Sequence, residues 1–321
     1  MTASKTGRID IHHHFWPRAY MAEEQERNAG YKHGGAGPDR LLGWSPEQAI
    51  EAMDAHGIDI AIGSVSTPGA WFGDVAAARR LSRLWNEAGA KTVAAHPKRF
   101  GFFALVAPPD VEGALREIEY ALDTLKADGV GLLSNYAGKS LGDPAFAPVF
   151  DELNRRKAVV FIHPAAHPAT AGLIPGLLPQ GIEFPMDTTR TVTSLVLSGT
   201  MARCPNLRIV LSHGGGVLPF LAARIDHVAG RVEAFKANNP NGIEHELKRF
   251  YCDTAGSASA PQLDAMLRFY PPGHVLYGSD YPFVAMAEGI EEMNHYHPPA
   301  DTRAAIDRGN AMELLPRLKS V

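Results

Sequence analysis

Two histidines two residues apart could grip a metal ion. In Arg8-Ile9-Asp10-Ile11-His12-His13-His14-Phe15-Trp16-Pro17 the apolar spacing of Ile9 and Ile11 predicts a short buried strand. Side chains on a strand alternate between faces, so Asp10, His12 and His14 are expected on one face and His13 on the other. Two imidazoles on one strand face can hold a single divalent ion without moving the backbone. An expression tag is the competing explanation. A tag would be longer and flanked by linker residues, not by Ile-Asp-Ile and Phe-Trp-Pro.

The same chemistry recurs where further strands should end. His163 closes Val159-Val-Phe-Ile-His-Pro, His213 closes Val210-Leu-Ser-His-Gly-Gly-Gly, and Asp280 lies in Leu276-Tyr-Gly-Ser-Asp-Tyr-Pro. One histidine at a strand end is usually a satisfied core or loop residue. Four strands each ending in a ligand type at one rim are hard to read that way. Imidazoles with a carboxylate suit zinc, or a harder ion such as manganese, better than calcium or magnesium.

What must position these residues is a regular alternation of elements. After Pro17 a stretch to about Trp44 lacks periodicity and is expected to be an insertion, over 15–45, across the mouth of the first strand. Strands are then expected at Ile58–Val65, Phe100–Val106, Val130–Leu133, Ala158–His163, Arg208–His213, Phe250–Thr254 and Val275–Ser279. The intervening helices are Ser45–His56, Ala76–His96, Val111–Asp128, Phe146–Lys157, Thr188–Arg203, Leu218–Glu233 and Ala260–Phe269, and closing helices surround Ile290 and Arg303–Leu315. Short apolar strands alternating with amphipathic helices imply a parallel sheet with helices outside. Eight such units in 321 residues point to one distorted (β/α)8 barrel domain spanning 1–321, whose site lies at the C-terminal strand ends. No Gly-x-Gly-x-x-Gly follows the first strand, which removes the main dinucleotide signature.

Bulk properties exclude several other classes. The composition is 45% hydrophobic and 21% charged with a net charge of −4, ordinary for a protein with a sizeable core and without the basic excess of a nucleic-acid binder. No apolar run is long enough to cross a bilayer, and Met1–Gly7 is too short and polar for a signal peptide. Cys204 and Cys252 are the only cysteines, so neither a disulfide framework nor a cysteine zinc site is expected, and a cytoplasmic location is the default. Histidine, with 14 copies, is the informative residue.

Taken as a set, Asp10-x-His12-x-His14, His163-Pro164, His213-Gly-Gly-Gly, Gly278-Ser-Asp280-Tyr-Pro and Arg308-Gly-Asn310-Ala311 resemble the amidohydrolase superfamily. The branch is that of the aminocarboxymuconate-semialdehyde, resorcylate and methylsalicylate decarboxylases, and the resemblance covers nearly the whole chain. It implies one metal held by His12, His14, His163 and Asp280, with His213 off the ion or loosely on it as the catalytic histidine. Two-metal relatives carry a carboxylated lysine at the end of strand four. Here that strand ends Gly131-Leu-Leu-Ser-Asn135 and the nearest lysine is Lys139, so one ion is expected. The resemblance also implies an arginine, matched by Arg224, that reaches a neighbouring subunit's site and grips a carboxylate, hence a homodimer or dimer of dimers. An ion pair with Asp226 is the plainer role for Arg224. The branch's arginine after Trp44-Ser-Pro46 is missing, with Gln48, Ala49 and Glu51 there instead, which disfavours a doubly anionic substrate.

Other residues carry weaker expectations. Trp16, Trp71 and Phe283 could wall an aromatic pocket, although such aromatics are usually core. Asp187 fits a helix N-cap, and His167 fits a loop histidine. The leading function is non-oxidative decarboxylation of a small aromatic or unsaturated carboxylic acid, such as an ortho-hydroxybenzoate. The metal would be zinc or manganese, and Asp280 or His213 would give the proton. A hydrolase or hydratase using the same residues is the alternative. A metal-binding regulatory protein would be expected to have lost His213 or Asp280, and both are present.

Overall fold

The computed structural model describes residues 7–27 and 43–320. Eight strands run in parallel in sequence order: β1 (Arg8–His14), β2 (Ile58–Ser64), β3 (Phe100–Leu105), β4 (Gly129–Leu133), β5 (Val159–His163), β6 (Arg208–Leu211), β7 (Tyr251–Asp253) and β8 (Val275–Leu276). The sheet closes where β8 returns to β1. Ile11 N donates to Tyr277 O (3.0 Å), Asp280 N to His12 O (2.8 Å) and His14 N to Tyr281 O (2.8 Å). This is the expected (β/α)8 barrel.

Two apolar layers hold it. Inside, Ile9, Ile11, Ile60, Ile62, Phe103, Phe161 and Val210 fill the lumen, and Leu314, Leu315 and Leu318 join them from the C-terminal segment. Arg208 at the start of β6 donates to Leu314 O (2.9 Å), which places that segment under the N-terminal strand ends. Phe103 and Phe161 stack at 5.5 Å, and the His12 ring rests on Phe161 at 5.0 Å, so the lumen's aromatic layer is the floor of the site. Outside, the larger core lies between the strands and the helices.

The helices begin where the sequence offers caps. Helix α1 spans Arg18–Arg27 and α2 spans Pro46–His56, with Ser45 Oγ accepting from Gln48 N (3.3 Å) and Gly57 ending α2 at φ 65°. Asp74 caps α3 (Val75–Ala95) and Asp110 caps α4 (Val111–Glu119). Then follow α5 (Ala147–Arg155), α6 (Glu183–Leu197), α7 (Leu218–Ala229), α8 (Ala260–Phe269) and α9 (Met286–Tyr296).

Several expectations need correction. The 15–45 stretch is not all loop: α1 occupies part of it, with Tyr20, Met21 and Glu24 buried, and 28–42 lie outside the described residues. The helix expected over Val111–Asp128 passes into a π-type turn at Tyr120–Thr124. The helix expected at Thr188–Arg203 starts earlier, at Glu183, and breaks at Gly199 (φ 76°) before a last turn at Thr200–Arg203. Strand β1 carries one extra residue against β2, because Asp10 pairs with Ala61 while His13 pairs with Gly63. That bulge breaks the strict alternation expected of Asp10, His12 and His14.

Candidate metal and proton-transfer site

The C-terminal strand ends bring the five predicted groups together. His12 and His14 leave β1 with their Nε2 atoms 3.1 Å apart, and His14 Nε2 lies 3.0 Å from Asp280 Oδ1. His12 Nε2 is 3.3 Å from the same oxygen, and His213 Nε2 is 3.4 Å from Asp280 Oδ2. One ligand atom from each of His12, His163, His213 and Asp280 falls within 4.8 Å of the others. His12 and His14 are fully buried, whereas the His213 and Asp280 side chains are 17% and 14% exposed toward the mouth.

Three of the imidazoles are fixed from behind. Nδ1 of His12 meets Asp253 Oδ2 (2.8 Å), Nδ1 of His14 meets Ser64 O (3.2 Å), and Nδ1 of His163 meets Pro164 O (3.0 Å). With the Nδ1 proton held by that acceptor, each ring is oriented to turn an Nε2 lone pair toward the common focus, as in metal-binding histidines. His213 differs: its buried Nδ1 has no hydrogen-bond partner. Lone pairs facing one another at these distances, together with a carboxylate, form a donor set that fits one divalent cation.

The electrostatics divide these groups. Burial alone would raise the Asp280 carboxyl, but the facing His12, His14 and His213 outweigh it and hold it well below the usual carboxylate range. Burial pushes His163 well below the ordinary imidazole value, and the neighbouring histidines push the same way. His12 is opposite in sign. Burial works against its protonation, yet Asp253 and Asp280 prevail and push it up to about 10, so a cation entering the site must displace the His12 Nε2 proton.

Local backbone explains the glycines in these motifs. His213 sits at φ 54°, and Gly214, Gly215 and Gly216 follow at 66°, 75° and 69°. A Cβ at Gly215 would strike Tyr270 Oη, and one at Gly216 would strike Pro185 O. Only glycine allows that run, which turns the chain sharply at the end of β6 and leaves His213 facing the focus. At Gly278 a Cβ would lie 2.8 Å from His12 Cβ and 3.0 Å from Asp253 Cβ, so β8 can approach β1 and β7 only without a side chain there.

Above the focus opens a cavity of about 620 Å³. Its floor includes His163, His213 and Asp280, and its walls include Ser66, Thr67, Phe184, Met186, Ser257, Gln262 and Phe283. Phe184 packs edge-on against His163 (6.1 Å) and Phe283 against His14 (5.3 Å). Among the described residues that line it, none is Lys or Arg.

The weaker candidates separate. Phe283 lines the cavity, but Trp16 is buried behind it, ring to ring at 5.7 Å, and Trp71 packs against the core. Arg224 is exposed on α7 and forms no ion pair with Asp226, whose carboxylate instead accepts from Glu244 N (3.2 Å). Phe220, one helical turn earlier on the same face, stands at the cavity rim. Asp187 is no N-cap. It lies inside α6, 1% exposed, and its Oδ2 accepts from Ser134 Oγ and from Asn135 Nδ2 (2.8 Å). His167 bonds Gly138 O and Ala169 N, away from the cavity. Lys139 is 60% exposed beside Asp143. Gln48 and Glu51 face solvent and Ala49 is buried under α2. Asp10 turns from the focus to Ser279 Oγ (2.6 Å) and His13 Nδ1 (3.3 Å), a consequence of the β1 bulge. Sequence reasoning passed over Asp253, the acceptor behind His12; its one signal was a carboxylate at the end of a strand.

The Amidohydrolase family model matches residues 9–317. The 6-methylsalicylic acid decarboxylase of Penicillium expansum is 38% identical, covering 98% of both chains. The 6-methylsalicylic acid decarboxylase acuB of Aspergillus aculeatus is 39% identical over 97% of both. Among solved structures, 5-carboxyvanillate decarboxylase from Novosphingobium aromaticivorans, complexed with manganese, is similar with a TM-score of 0.87 and 26% identity, covering 98% of this chain and 97% of that one.

Proposed function

Because the chain belongs to the amidohydrolase family, we propose that it is a metal-dependent, non-oxidative decarboxylase of a small aromatic monocarboxylic acid, an ortho-hydroxybenzoate being the type. The observation that carries the division of labour is the contrast among Nδ1 atoms. His12, His14 and His163 are each anchored from behind, as ligands are, and His213 is not. His12, His14, His163 and Asp280 would therefore hold one ion, and His213 is free to carry a proton. Three imidazoles and one carboxylate form a zinc-type set, and manganese is the ion in the carboxyvanillate enzyme's structure.

When bound, the metal supplies Lewis-acid polarisation of the substrate carboxylate and a neighbouring oxygen. The protein does the rest. A ring entering the cavity meets Phe184 and Phe283, two of its walls, which pack against His163 and His14. Within one subunit no cationic side chain is among the described lining residues, so the metal is the one positive group the chain itself brings to a carboxylate, which favours a monoacid. The Asp280–His213 pair, 3.4 Å apart, holds the proton and delivers it to the ring carbon bearing the carboxylate. The bond to the carboxylate then breaks, its electrons restore the ring, and carbon dioxide leaves.

Arg224 belongs to the same proposal. Its guanidinium lies one turn beyond the cavity rim at Phe220 (70% exposed), and Leu177, Leu178 and Ile182 add exposed apolar surface on the loop that borders the cavity. A homodimer formed through this face would cover that surface and bring Arg224 to the partner's mouth. The activity is tested by a carbon dioxide release screen on ortho-hydroxybenzoates with zinc or manganese added. Release of carbon dioxide supports the reading. Turnover of lactones or amides without it would replace the reading with hydrolysis.

A further inference from the structure

The proposed site gives no role to the buried carboxylate behind His12. Asp253, at the end of β7, is fully buried. Its Oδ2 accepts from His12 Nδ1 (2.8 Å), and its Oδ1 accepts from the backbone N–H of His213 (3.0 Å) and of Ala255 (3.0 Å). We propose that Asp253 is a positioning residue that sets two things at once: the ring orientation of His12 and the left-handed backbone that presents His213. The inference rests on His12 being a ligand and His213 a proton carrier.

The chemistry of the three donors makes the assignment specific. Every contact Asp253 makes is to an N–H, so both oxygens must be acceptors. Toward His12, acceptance keeps the proton on Nδ1 and leaves the Nε2 lone pair at the focus. Toward His213, it satisfies an N–H exposed by a backbone at φ 54°, a conformation that a non-glycine residue keeps only when its surroundings over-determine it. Gly278 supports the arrangement, because any Cβ there would press on Asp253 Cβ and Cγ, both at 3.0 Å.

An amide cannot replace this carboxylate, although it is isosteric. In Asp253→Asn one end becomes an NH₂ donor. Turned toward His12, the NH₂ demands a lone pair on Nδ1 and moves the imidazole proton to Nε2, where it blocks the metal focus. Turned the other way, it opposes the N–H groups of His213 and Ala255 and pushes the His213 turn out of place.

The test compares wild type, Asp253→Asn and Asp253→Ser in parallel by zinc or manganese affinity, thermal unfolding, and kcat and KM at saturating metal. The expected result is metal affinity lower by about 10–100-fold in the folded variants, as for loss of other acceptors behind metal-bound histidines. At metal saturation kcat should fall at least tenfold with KM little changed, because Asp253 touches no residue of the cavity wall other than through His213. In a His213→Ala background the Asp253→Asn change should still weaken metal but cost no further turnover. Metal affinity and kcat within twofold of wild type would overturn the inference, as would unfolding of both variants, which would make Asp253 a folding element. Wild type that binds no metal or releases no carbon dioxide would instead sink the functional reading, so the two failures are told apart.

Discussion

Asp187 offers a quantitative check on how the strand ends are held. Its Oδ2 receives Ser134 Oγ and Asn135 Nδ2, and those two side chains also grip Ala165, through Ala165 N to Ser134 Oγ (2.9 Å) and Asn135 Nδ2 to Ala165 O (2.9 Å). The carboxylate thus clamps the loop after β4 to the segment that follows His163. Asp187→Ala removes two charge-assisted hydrogen bonds worth about 1.5–3 kcal/mol each. Part is recovered, because Ser134 Oγ can turn to Ala165 O at 3.5 Å, and because Asp187 Oδ1 is buried without a hydrogen bond, its nearest cation being Arg190 at 3.7 Å. A net loss of about 3 kcal/mol is expected, against ~1 kcal/mol for deleting an ordinary N-cap. At about 2 °C per kcal/mol for a large domain, the Tm should drop by roughly 6 °C. Urea and thermal unfolding measure it. A loss of ~1 kcal/mol or less would refute the clamp and restore the capping role.

Three further outcomes follow from the same geometry. Gly278→Ala places a methyl 2.8 Å from His12 Cβ and should cost about 1–3 kcal/mol by overpacking while weakening metal binding, read by urea unfolding and equilibrium dialysis. Arg155, with Arg156 behind it, draws the Glu152 carboxyl down to about 2 from 4.5; a depressed carboxyl adds stability that is present above about 4.5 and lost as pH falls through 2, so Glu152→Gln should lower stability at neutral pH and converge with wild type near pH 2 in acid-unfolding curves. If, as proposed, Arg224 completes the site of a dimer partner, mixing His213→Ala with Arg224→Ala should restore part of the activity both have lost, since some hybrid dimers would hold one intact site; no rescue despite subunit exchange removes Arg224 from the site.

The candidate residues were legible because metal chemistry needs few residue kinds, and apolar runs that stop at His163 or just before His213 and Asp280 locate the strand ends. The barrel was legible for the same reason: β3 and β4 are continuous apolar stretches, β5 is apolar up to His163, and β2 is broken only by Asp59, as strands buried on both faces are expected to be. What stayed hidden depends on tertiary partners. Helix α1 buries only Tyr20, Met21 and Glu24, too little to give a periodic signal. Asp187 looked like a cap because α6 starts four residues earlier, at Glu183, with no side-chain cap to mark it. The β1 bulge is set by the pairing with β2, so nothing within Asp10–His14 announces it. Asp253 stands behind His12, and that contact appears only when β7 is placed beside β1.

The most direct test is the metal content of purified His213→Ala beside that of His12→Ala and wild type, with carbon dioxide release followed in the same samples. The account predicts about one tightly bound ion per chain in wild type, loss of ion and activity in His12→Ala, and an His213→Ala enzyme that keeps its ion while turnover falls by roughly two to four orders of magnitude. Metal loss in His213→Ala as severe as in His12→Ala would make His213 a ligand and contradict the account.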